Sequence, residues 1–309
     1  MERKLQIFNL VMWILIAAAL ILLMVFFMFR GPWYQRFNLF SWKPSAAAAE
    51  TYDKTFASAD ITKICVGSGA ADITVKQSDT GDIRVIHRSS KDIKDSSFSV
   101  QTENGTLNIQ DNNDFSGIHL FMFSSWTEQI EIDLPRSFGK AFSIENGSGD
   151  VIFTGGNTFA ELSIQTGSGD FTADNIKAQS FSLKTGSGDI HVENLNAAHY
   201  DAESGSGDIR FNDLAGCGRL KASSGEIEAR CSALTGDLTA STGSGDVKLS
   251  LPENTSEKIQ ASTGSGDINS SLPLSYTGWD KNTATGTVGS GPFQNVEIHT
   301  GSGDINLNK

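Results

Sequence analysis

The chain has 309 residues, enough for one large domain or two ordinary ones, and its 31 glycines and 6 prolines indicate many turns of which few are rigid. Acidic residues outnumber basic ones by 36 to 24, and the net charge of -12 disfavours nucleic acid and anionic lipid as partners of the folded part. The three cysteines show no CxxC spacing and no nearby histidine cluster, which argues against a zinc site. A disulfide between Cys217 and Cys231 and three unpaired thiols are both compatible with the sequence.

The N-terminus predicts a membrane anchor. After a short segment at residues 1–7, residues 8–29 carry no charge and are long enough as a helix to cross about 30 Å of hydrocarbon. The apolar part of a secretory signal is usually only about 7–15 residues, so we expect an uncleaved transmembrane helix that contacts the lipid bilayer. Basic residues are nearly balanced across the span. We expect the long C-terminal part to lie outside the cell, because Gly/Ser/Thr/Asn-rich β-repeats are typical of exported surfaces.

The next two segments precede the clear repeat. Residues 30–60 are predicted to be a juxtamembrane tether, and residues 61–140 an irregular N-terminal β part with apolar residues in period-two pairs. Within it, Asn104-Gly105 predicts a hairpin turn, because both residues tolerate positive φ.

One stretch of this part is apolar without alternation. It either plugs the end of the β domain or forms a loop that contacts a partner or the membrane. As a candidate interaction patch it comprises Leu120, Phe121, Phe123 and Trp126.

Residues 141–309 form a repeat built on Gly-Ser-Gly-Asp. A shortened corner, Ser-Gly-Glu, ends at Glu226, and neighbouring corners are 18–21 residues apart except for one gap of 37. The full corners end at Asp150, Asp170, Asp189, Asp208, Asp246, Asp267 and Asp304.

Apolar residues recur at fixed distances on both sides of each corner. The column four places before the aligned Thr or Ser is Phe142, Leu162, Phe181, Tyr200, Leu220, Leu238, Ile259 and Val296. The column after the acidic residue is Val151, Phe171, Ile190, Ile209, Ile227, Val247, Ile268 and Ile305.

The period predicts an all-β parallel β-helix, or β-solenoid, with coils of about 20 residues. Two short strands cannot bury an apolar face alone, so each coil must stack on a neighbour, which places like positions above one another at about 4.8 Å. An antiparallel meander is the structural alternative. The 37-residue gap suggests a longer coil with an excursion, and because no capping segment follows Asp304, we expect the last coil to present an unpaired edge.

The corner residues have structural tasks. In the copy Thr166, Gly167, Ser168, Gly169 and Asp170, the glycines allow positive φ and close stacking, Thr bonds along the ladder, and Asp accepts bonds from N–H groups of its own turn. Stacked aspartates repel one another unless hydrogen bonds, water or cations intervene. Calcium bound by the aspartates of the seven full corners is therefore an alternative to turn capping.

The sequence indicates no catalytic centre and implies no cofactor. A serine that recurs in every Gly-Ser-Gly-Asp corner does not behave as a single nucleophile, and the five histidines are scattered without metal-ligand spacing. A carboxylate pair acting on a polysaccharide is a third-ranked alternative, because β-helices host such sites.

The repeat, together with the N-terminal span, carries a resemblance. The segment Val296-Glu297-Ile298-His299-Thr300-Gly301-Ser302-Gly303-Asp304-Ile305 and its copies resemble the bacterial putative-adhesin family of β-strand-repeat domains of unknown function. Members similar to LiaG, an accessory of envelope-stress systems in Gram-positive bacteria, have this layout. The resemblance covers about residues 60–309 and implies a membrane-anchored, outward-facing β domain without catalytic residues to carry over. Its departures are an inserted alanine in residues 67–72 and the contracted corner at Glu226.

Two functional hypotheses follow. The first is a non-enzymatic, single-pass protein of the cell membrane, an adhesin or an envelope-stress accessory. It would present a β face to a protein or cell-envelope partner. The second is a self-assembling scaffold similar to bactofilins, stacked end to end beside the membrane on its cytoplasmic side.

Overall fold

The computed structural model describes residues 48–90, 98–111, 127–278 and 282–309. The predicted anchor at residues 8–29 and the predicted interaction patch at residues 120–126 lie outside the described residues. The described part is all-β, with twenty strands in one sheet and one short 3-10 helix, Ser58–Asp60. None of the described segments contains a helix long and apolar enough to cross a bilayer.

The strands follow one another with short connections. In chain order they are β1 (Ala49–Phe56), β2 (Lys63–Ser68), β3 (Asp72–Ser78), β4 (Ile83–Ser89), β5 (Phe98–Glu103), β6 (Thr106–Asp111), β7 (Glu128–Pro135), β8 (Ala141–Asn146), β9 (Val151–Thr166), β10 (Phe171–Thr185), β11 (Ile190–Ser204), β12 (Ile209–Ala222), β13 (Ile227–Thr242), β14 (Val247–Ser250), β15 (Glu257–Ser265), β16 (Ile268–Ser270), β17 (Ser275–Thr277), β18 (Thr283–Val288), β19 (Gln294–Ser302) and β20 (Ile305–Asn308).

The middle of the domain is a regular parallel stack. Strands β9 to β13 pair in sequence order, each with the next and all in parallel, so every coil lies directly on its neighbour. In the column after the acidic residue, for example, Val151, Phe171 and Ile190 lie opposite one another, and all eight members of that column are buried. The all-β fold of stacked coils is therefore confirmed, and the strands form one continuous sheet.

Aromatic rings fill the N-terminal half of the interior. Phe142, Phe153, Phe159, Phe171 and Phe181 are at most 2% exposed and contact one another in tilted or edge-to-face arrangements. Their ring centroids are 5.7–6.2 Å apart, within the range that aromatic pairs favour. Toward the C-terminal half the same columns are aliphatic.

The coil ending at Glu226 keeps a full-length corner, which corrects the sequence alignment. Ala222 lies opposite Ser204, so it occupies the Thr position, and Ser223 takes the place of the first glycine. The prediction of a contracted corner at Glu226 is therefore wrong. The two columns before the corner are filled by Gly218 and Leu220, two places earlier than the spacing of Ser-Gly-Glu suggested.

Gly218 accommodates a large neighbour. It lies opposite Tyr200, and a Cβ on Gly218 would approach the Tyr200 carbonyl oxygen at 1.9 Å and a ring carbon at 2.8 Å. In other coils the residue equivalent to Gly218 has a side chain in the interior. Here the Tyr200 ring fills that volume.

The corner before β3 also keeps the register, and the prediction that it contains an inserted alanine is wrong. Ser68 lies opposite Asn146, and the following residues place Asp72 directly under Asp150. Ala71 stands where other corners have their second glycine. Its N–H donates to Ser68 Oγ (2.9 Å), as the glycine N–H does elsewhere. Parallel pairing therefore begins at β2, inside the part that the sequence indicated as irregular.

The order of strands in space departs from chain order at both ends. β2 lies between β6 and β8, and β3 between β7 and β9, all in parallel. At the other end β19 lies between β13 and β15, and β20 between β14 and β16. The expectation of an unpaired edge at the Asp304 coil is therefore wrong, because β20 is paired on both sides.

Antiparallel strands cover most of the two ends. At the N-terminal end β5 pairs with β6, β4 with β7, and β1 with β4, so residues 49–56 of the predicted tether form a strand. The β5–β6 hairpin turns at Asn104 (φ 50°) and Gly105 (φ 76°), as predicted. At the C-terminal end the 37-residue gap contains the β17–β18 hairpin, and β18 covers β15.

Candidate functional site: the acidic stripe

Stacking of the coils aligns nine acidic residues in one row that runs across the strands at the corners. We call this row the acidic stripe. In spatial order they are Asp72, Asp150, Asp170, Asp189, Asp208, Glu226, Asp246, Asp304 and Asp267. At about 4.8 Å per coil the stripe is about 38 Å long.

Each aspartate along most of the stripe accepts a hydrogen bond from the next coil. The backbone N–H of Asp170 donates to Asp150 Oδ1 (3.0 Å), and that of Asp189 donates to Asp170 Oδ1 (2.8 Å). The same bond links seven neighbouring pairs, from Asp72 to the pair of Asp304 and Asp267. The donor belongs to the neighbouring coil, which corrects the expectation that Asp caps its own turn.

This bond explains why aspartate suits the corner. The chain bends there, so the acidic residue's N–H meets a carboxylate oxygen of the coil beneath where a flat strand would offer a carbonyl. The N–H of the residue after it resumes the ordinary ladder, as when Phe171 donates to the Asp189 carbonyl (2.9 Å). A backbone N–H left unpaired costs free energy, so the side chain bridges a gap in the ladder.

The hydroxyl before the corner completes the network. Ser204 Oγ accepts the N–H of Gly207 (2.9 Å) in its own turn and donates to the Gly188 carbonyl (3.1 Å) in the coil beneath. Thr166 Oγ1 accepts from Gly169 in the same way (3.2 Å). These hydroxyls are buried, so the bonds are shielded from water.

The stripe offers no enclosed cation site in the described part. One oxygen of each bonded aspartate is committed to a backbone N–H. Across residues 48–90, 98–111, 127–278 and 282–309, no three His, Cys, Asp or Glu side chains converge as metal ligands. The residues that the calcium alternative names are thus arranged as one carboxylate per coil, and all of them except Asp267 accept a backbone N–H of the neighbouring coil.

Charged side chains on the outer faces pair between neighbouring coils. Arg219 binds Asp201 through two hydrogen bonds (2.9 and 3.1 Å), and Lys221 Nζ lies 3.0 Å from Glu203 Oε1. The bond from Lys221 lowers the pKa of Glu203, which stays ionised. Exposed pairs of this kind contribute little to stability individually, but they fix the position of each row on a rigid surface.

Two open grooves border these faces. The first, of about 770 Å³, runs beside the corners at the N-terminal end and is lined by Gly67, Gln110, Glu145 and Gln165 among others. The second lies near the C-terminal end and includes Asp237, whose two oxygens both bind Asn295. These bonds lower the pKa of Asp237, which is the wrong direction for a general acid in glycoside hydrolysis.

The cysteines are free thiols. Burial raises the pKa of Cys231 to about 12, so its thiolate is scarcely populated at neutral pH. Cys217 is half-buried, with Sγ 3.3 Å from His199 Nδ1 and 3.1 Å from the Ala198 carbonyl.

One buried ion pair was not foreseen from the sequence. Glu257 is fully buried, and Lys309 Nζ lies 3.3 Å from its Oε2 while donating to the Thr255 carbonyl (2.9 Å). Glu257 also accepts a bond from the Thr255 hydroxyl. The sequence signal was only a charged residue at the start of an alternating strand, which ordinarily faces solvent.

A family model described as Toastrack DUF4097 matches residues 61–308. The chain belongs to the Toastrack DUF4097 family. This Toastrack match spans β2 to β20 and confirms the predicted membership of a β-strand-repeat family.

Two solved structures resemble this chain at low identity. A putative lipid binding protein from Parabacteroides distasonis is 17% identical with a TM-score of 0.50, over 84% of this Toastrack chain and 96% of that chain. A putative adhesin from Bacteroides fragilis is 15% identical with a TM-score of 0.49, over 83% and 96%. A comparison with proteins of curated function found no match. The likeness to the first of these structures shows the fold alone.

Proposed function

We propose that this protein is a non-enzymatic binding module, anchored in the cell membrane by residues 8–29 and presenting its β domain outside the cell to a protein or cell-envelope partner. The observation that carries the proposal is that outward-facing side chains of successive coils form rows on the surface. Outward side chains repeat at about 4.8 Å on a sheet held by continuous parallel pairing. Such a surface is a rigid template, which lowers the entropy cost of binding an extended partner. An accessory role in envelope stress is consistent with the layout of LiaG-like members.

A self-assembling scaffold is the competing proposal. End-to-end stacking of copies needs two complementary open ends. At the N-terminal end of the described sheet, antiparallel β1, β4 and β5 cover the coils, and β1 carries the charged residues Glu50, Asp53 and Lys54. Charged side chains on an edge strand oppose further pairing. The charged edge strand β1 therefore opposes end-to-end stacking of copies, which favours a binding module over a filament.

The first experiment tests location. The full chain, tagged at its N-terminus, is treated with protease on intact cells and after permeabilisation. The proposal expects the β domain to be cut on intact cells. A domain cut only after permeabilisation would contradict it and support the cytoplasmic scaffold.

The second experiment tests binding by the outer faces. A photo-crosslinking amino acid is placed at the exposed positions Thr172 and Glu161, which lie on different strands, and at buried Leu183 as a matched control. We expect a discrete crosslinked product from at least one exposed position and none from Leu183. No product from either face on cells whose domain is protease-accessible would overturn the presentation of a β face.

A further inference from the structure

The outer surface of the middle coils carries a thiol next to an imidazole. Cys217 of β12 lies opposite His199 of β11, because the two residues are 18 positions apart, about one coil. Cys217 Sγ lies 3.3 Å from His199 Nδ1 and 3.1 Å from the carbonyl oxygen of Ala198. His199 is exposed and Cys217 is half-buried, so both side chains are within reach of a solute.

A glycine keeps space beside the sulfur. Gly236 belongs to β13, the strand on the other side of β12 from His199. A Cβ on Gly236 would lie 3.1 Å from Cys217 Cβ and 3.2 Å from Cys217 Sγ. A side chain at position 236 would therefore crowd the thiol, whereas glycine leaves it open to a further atom.

The two side chains are ligands for a soft metal ion. Thiolate sulfur selects Cu(I), and imidazole also suits copper. With bonds of about 2.3 Å to sulfur and about 2.0 Å to nitrogen, the separation of 3.3 Å between Sγ and Nδ1 corresponds to an angle of about 100° at the metal. Rotation of the exposed His199 ring widens this angle toward the linear arrangement that Cu(I) accepts.

We infer that Cys217 and His199 bind one Cu(I) ion on the outer surface of the stack. The thiol proton passes to solvent as the sulfur–copper bond forms, so the affinity rises with pH. No change of oxidation state accompanies this step. The site goes beyond the proposed binding of a protein or cell-envelope partner and does not depend on it.

Two side chains are too few for the common divalent ions. Structural zinc takes four ligands, and calcium takes about six to eight oxygens. In the part of the chain that the structure describes, no third His, Cys, Asp or Glu side chain joins the pair. Asp237, which follows Gly236, directs both carboxylate oxygens to Asn295. Cu(I) forms stable complexes with two ligands, and it is therefore the ion that this pair fits.

The other two cysteines have different surroundings. Cys231 is buried, and burial disfavours its thiolate. Cys65 is half-buried like Cys217, but it lies opposite Asn108 of β6 and Ser143 of β8, and neither of these strands contains a histidine. Cys65 is therefore a matched control thiol without an adjacent imidazole on its neighbouring strands.

The first test measures Cu(I) affinity. The full-length protein in detergent is titrated with Cu(I) without oxygen, in competition with the chromophoric chelator bicinchoninate. We expect one equivalent whose affinity falls at least about tenfold in Cys217→Ser and in His199→Gln, because loss of even an outer-shell partner of a metal ligand costs about 10- to 100-fold. Cys65→Ser and His299→Gln, at another exposed histidine, should keep this equivalent unchanged. Equal affinity of the parent and either site variant, or its loss in Cys65→Ser, would overturn the inference.

The second test uses the parent protein, so it does not depend on the folding of a variant. The protein is treated with iodoacetamide with and without one equivalent of Cu(I), and peptide mass spectrometry then gives the rate of modification at each cysteine. Cu(I) should slow the modification of Cys217 at least about tenfold and leave that of Cys65 unchanged. Equal rates at Cys217 with and without the ion would contradict the site. Neither result affects the protease test of the proposed function.

Discussion

At the scale of single residues, the corner glycines are required by space. A Cβ on Gly169 would lie 1.9 Å from the carbonyl oxygen of Gly149, a backbone atom in the coil beneath that cannot move alone. The φ angle of Gly169 is outside the left-handed region. Glycine was expected here for positive φ and for close stacking, and at this position close stacking is the reason that applies.

Gly169→Ala should therefore destabilise the domain by about 3 kcal/mol or more, because overpacking against backbone forces the coils apart. Urea unfolding followed by circular dichroism measures the loss. The control is Gly81→Ala, since nothing lies within 4 Å of the added Cβ there. Equal effects of the two substitutions would show that the corners are not closely stacked.

The aspartate bond predicts a different pair of effects. Asp189→Ala removes the acceptor of the Asp208 N–H (2.8 Å) and should cost about 1 kcal/mol. Asp189→Asn keeps an oxygen in the same place and should cost clearly less. Thermal melting of both variants at neutral pH checks this, and a larger loss for Asn than for Ala would contradict the role of the bond.

At the scale of elements, the repeat was readable from sequence and the ends were not. Apolar columns at fixed distance from each Gly-Ser-Gly-Asp corner define strands and register directly, because only inward positions must be apolar, whereas at the corner of Glu226, which lacks that sequence, the predicted register was two residues off. The pairing of β19 between β13 and β15 follows from three-dimensional competition among similar strands. Every candidate coil carries the same columns, so the pattern cannot rank them.

Only part of the acidic stripe could be predicted from the sequence. The repeated aspartates could be read from the sequence, and so could a structural task for them. The direction of the bond could not, because it depends on which coil's N–H is left without a carbonyl at the bend. Glu257 was missed because its partner Lys309 is remote in sequence and no local pattern marks a buried carboxylate.

The N-terminal cap contains a buried histidine. His87 on β4 is 0% exposed, stacks on Phe98 of β5 (centroids 4.1 Å apart), and has its Nδ1 2.6 Å from Thr51 Oγ1 of β1. Burial lowers its pKa below 6.5, and the carboxylate of Glu128 on β7 opposes that shift.

Because the unfolded state binds the proton more readily, the stability due to neutral His87 is present above about pH 6.5 and is lost as the pH falls through the lower folded pKa. His87→Gln should flatten the fall in urea midpoint between pH 7 and pH 5. An unaltered pH profile in His87→Gln would refute the assignment.

The buried ion pair of Glu257 and Lys309 is the second testable element. Lys309→Met leaves the Glu257 carboxylate buried without its cation, and removal of one partner of a buried pair costs about 3–5 kcal/mol. We expect the double variant Lys309→Met/Glu257→Gln to regain most of that loss in equilibrium unfolding. A single variant as stable as the parent would show that Lys309 does not neutralise Glu257.

At the scale of the whole molecule, the domain is a one-dimensional array. β10 meets β9 and β11 through equivalent positions, so the coil Phe171–Asp189 has interchangeable neighbours. Its deletion joins Asp170 to Ile190 and brings Val192 onto Phe153. The sum of nearest-neighbour contacts then falls by one coil.

We expect the protein lacking residues 171–189 to fold with the same β-type circular dichroism and a lower melting temperature. Deletion of residues 171–180 alone leaves half a coil out of register and should abolish cooperative melting. If both deletions unfolded the protein, the coils would not be equivalent units.

The placement of β19 and β20 between earlier strands sets the order in which the domain can be completed. Strands β15 and β16 are synthesised first, but their lasting neighbours are residues 294–308, which leave the ribosome later. Until then the growing stack ends at β13 and β14, with an apolar rim exposed. Completion of the stack thus requires residues 294–308 to enter between two segments that are synthesised before them. A chain that lacks residues 294–308 would leave the facing edges of β13 and β15 without the strand that lies between them.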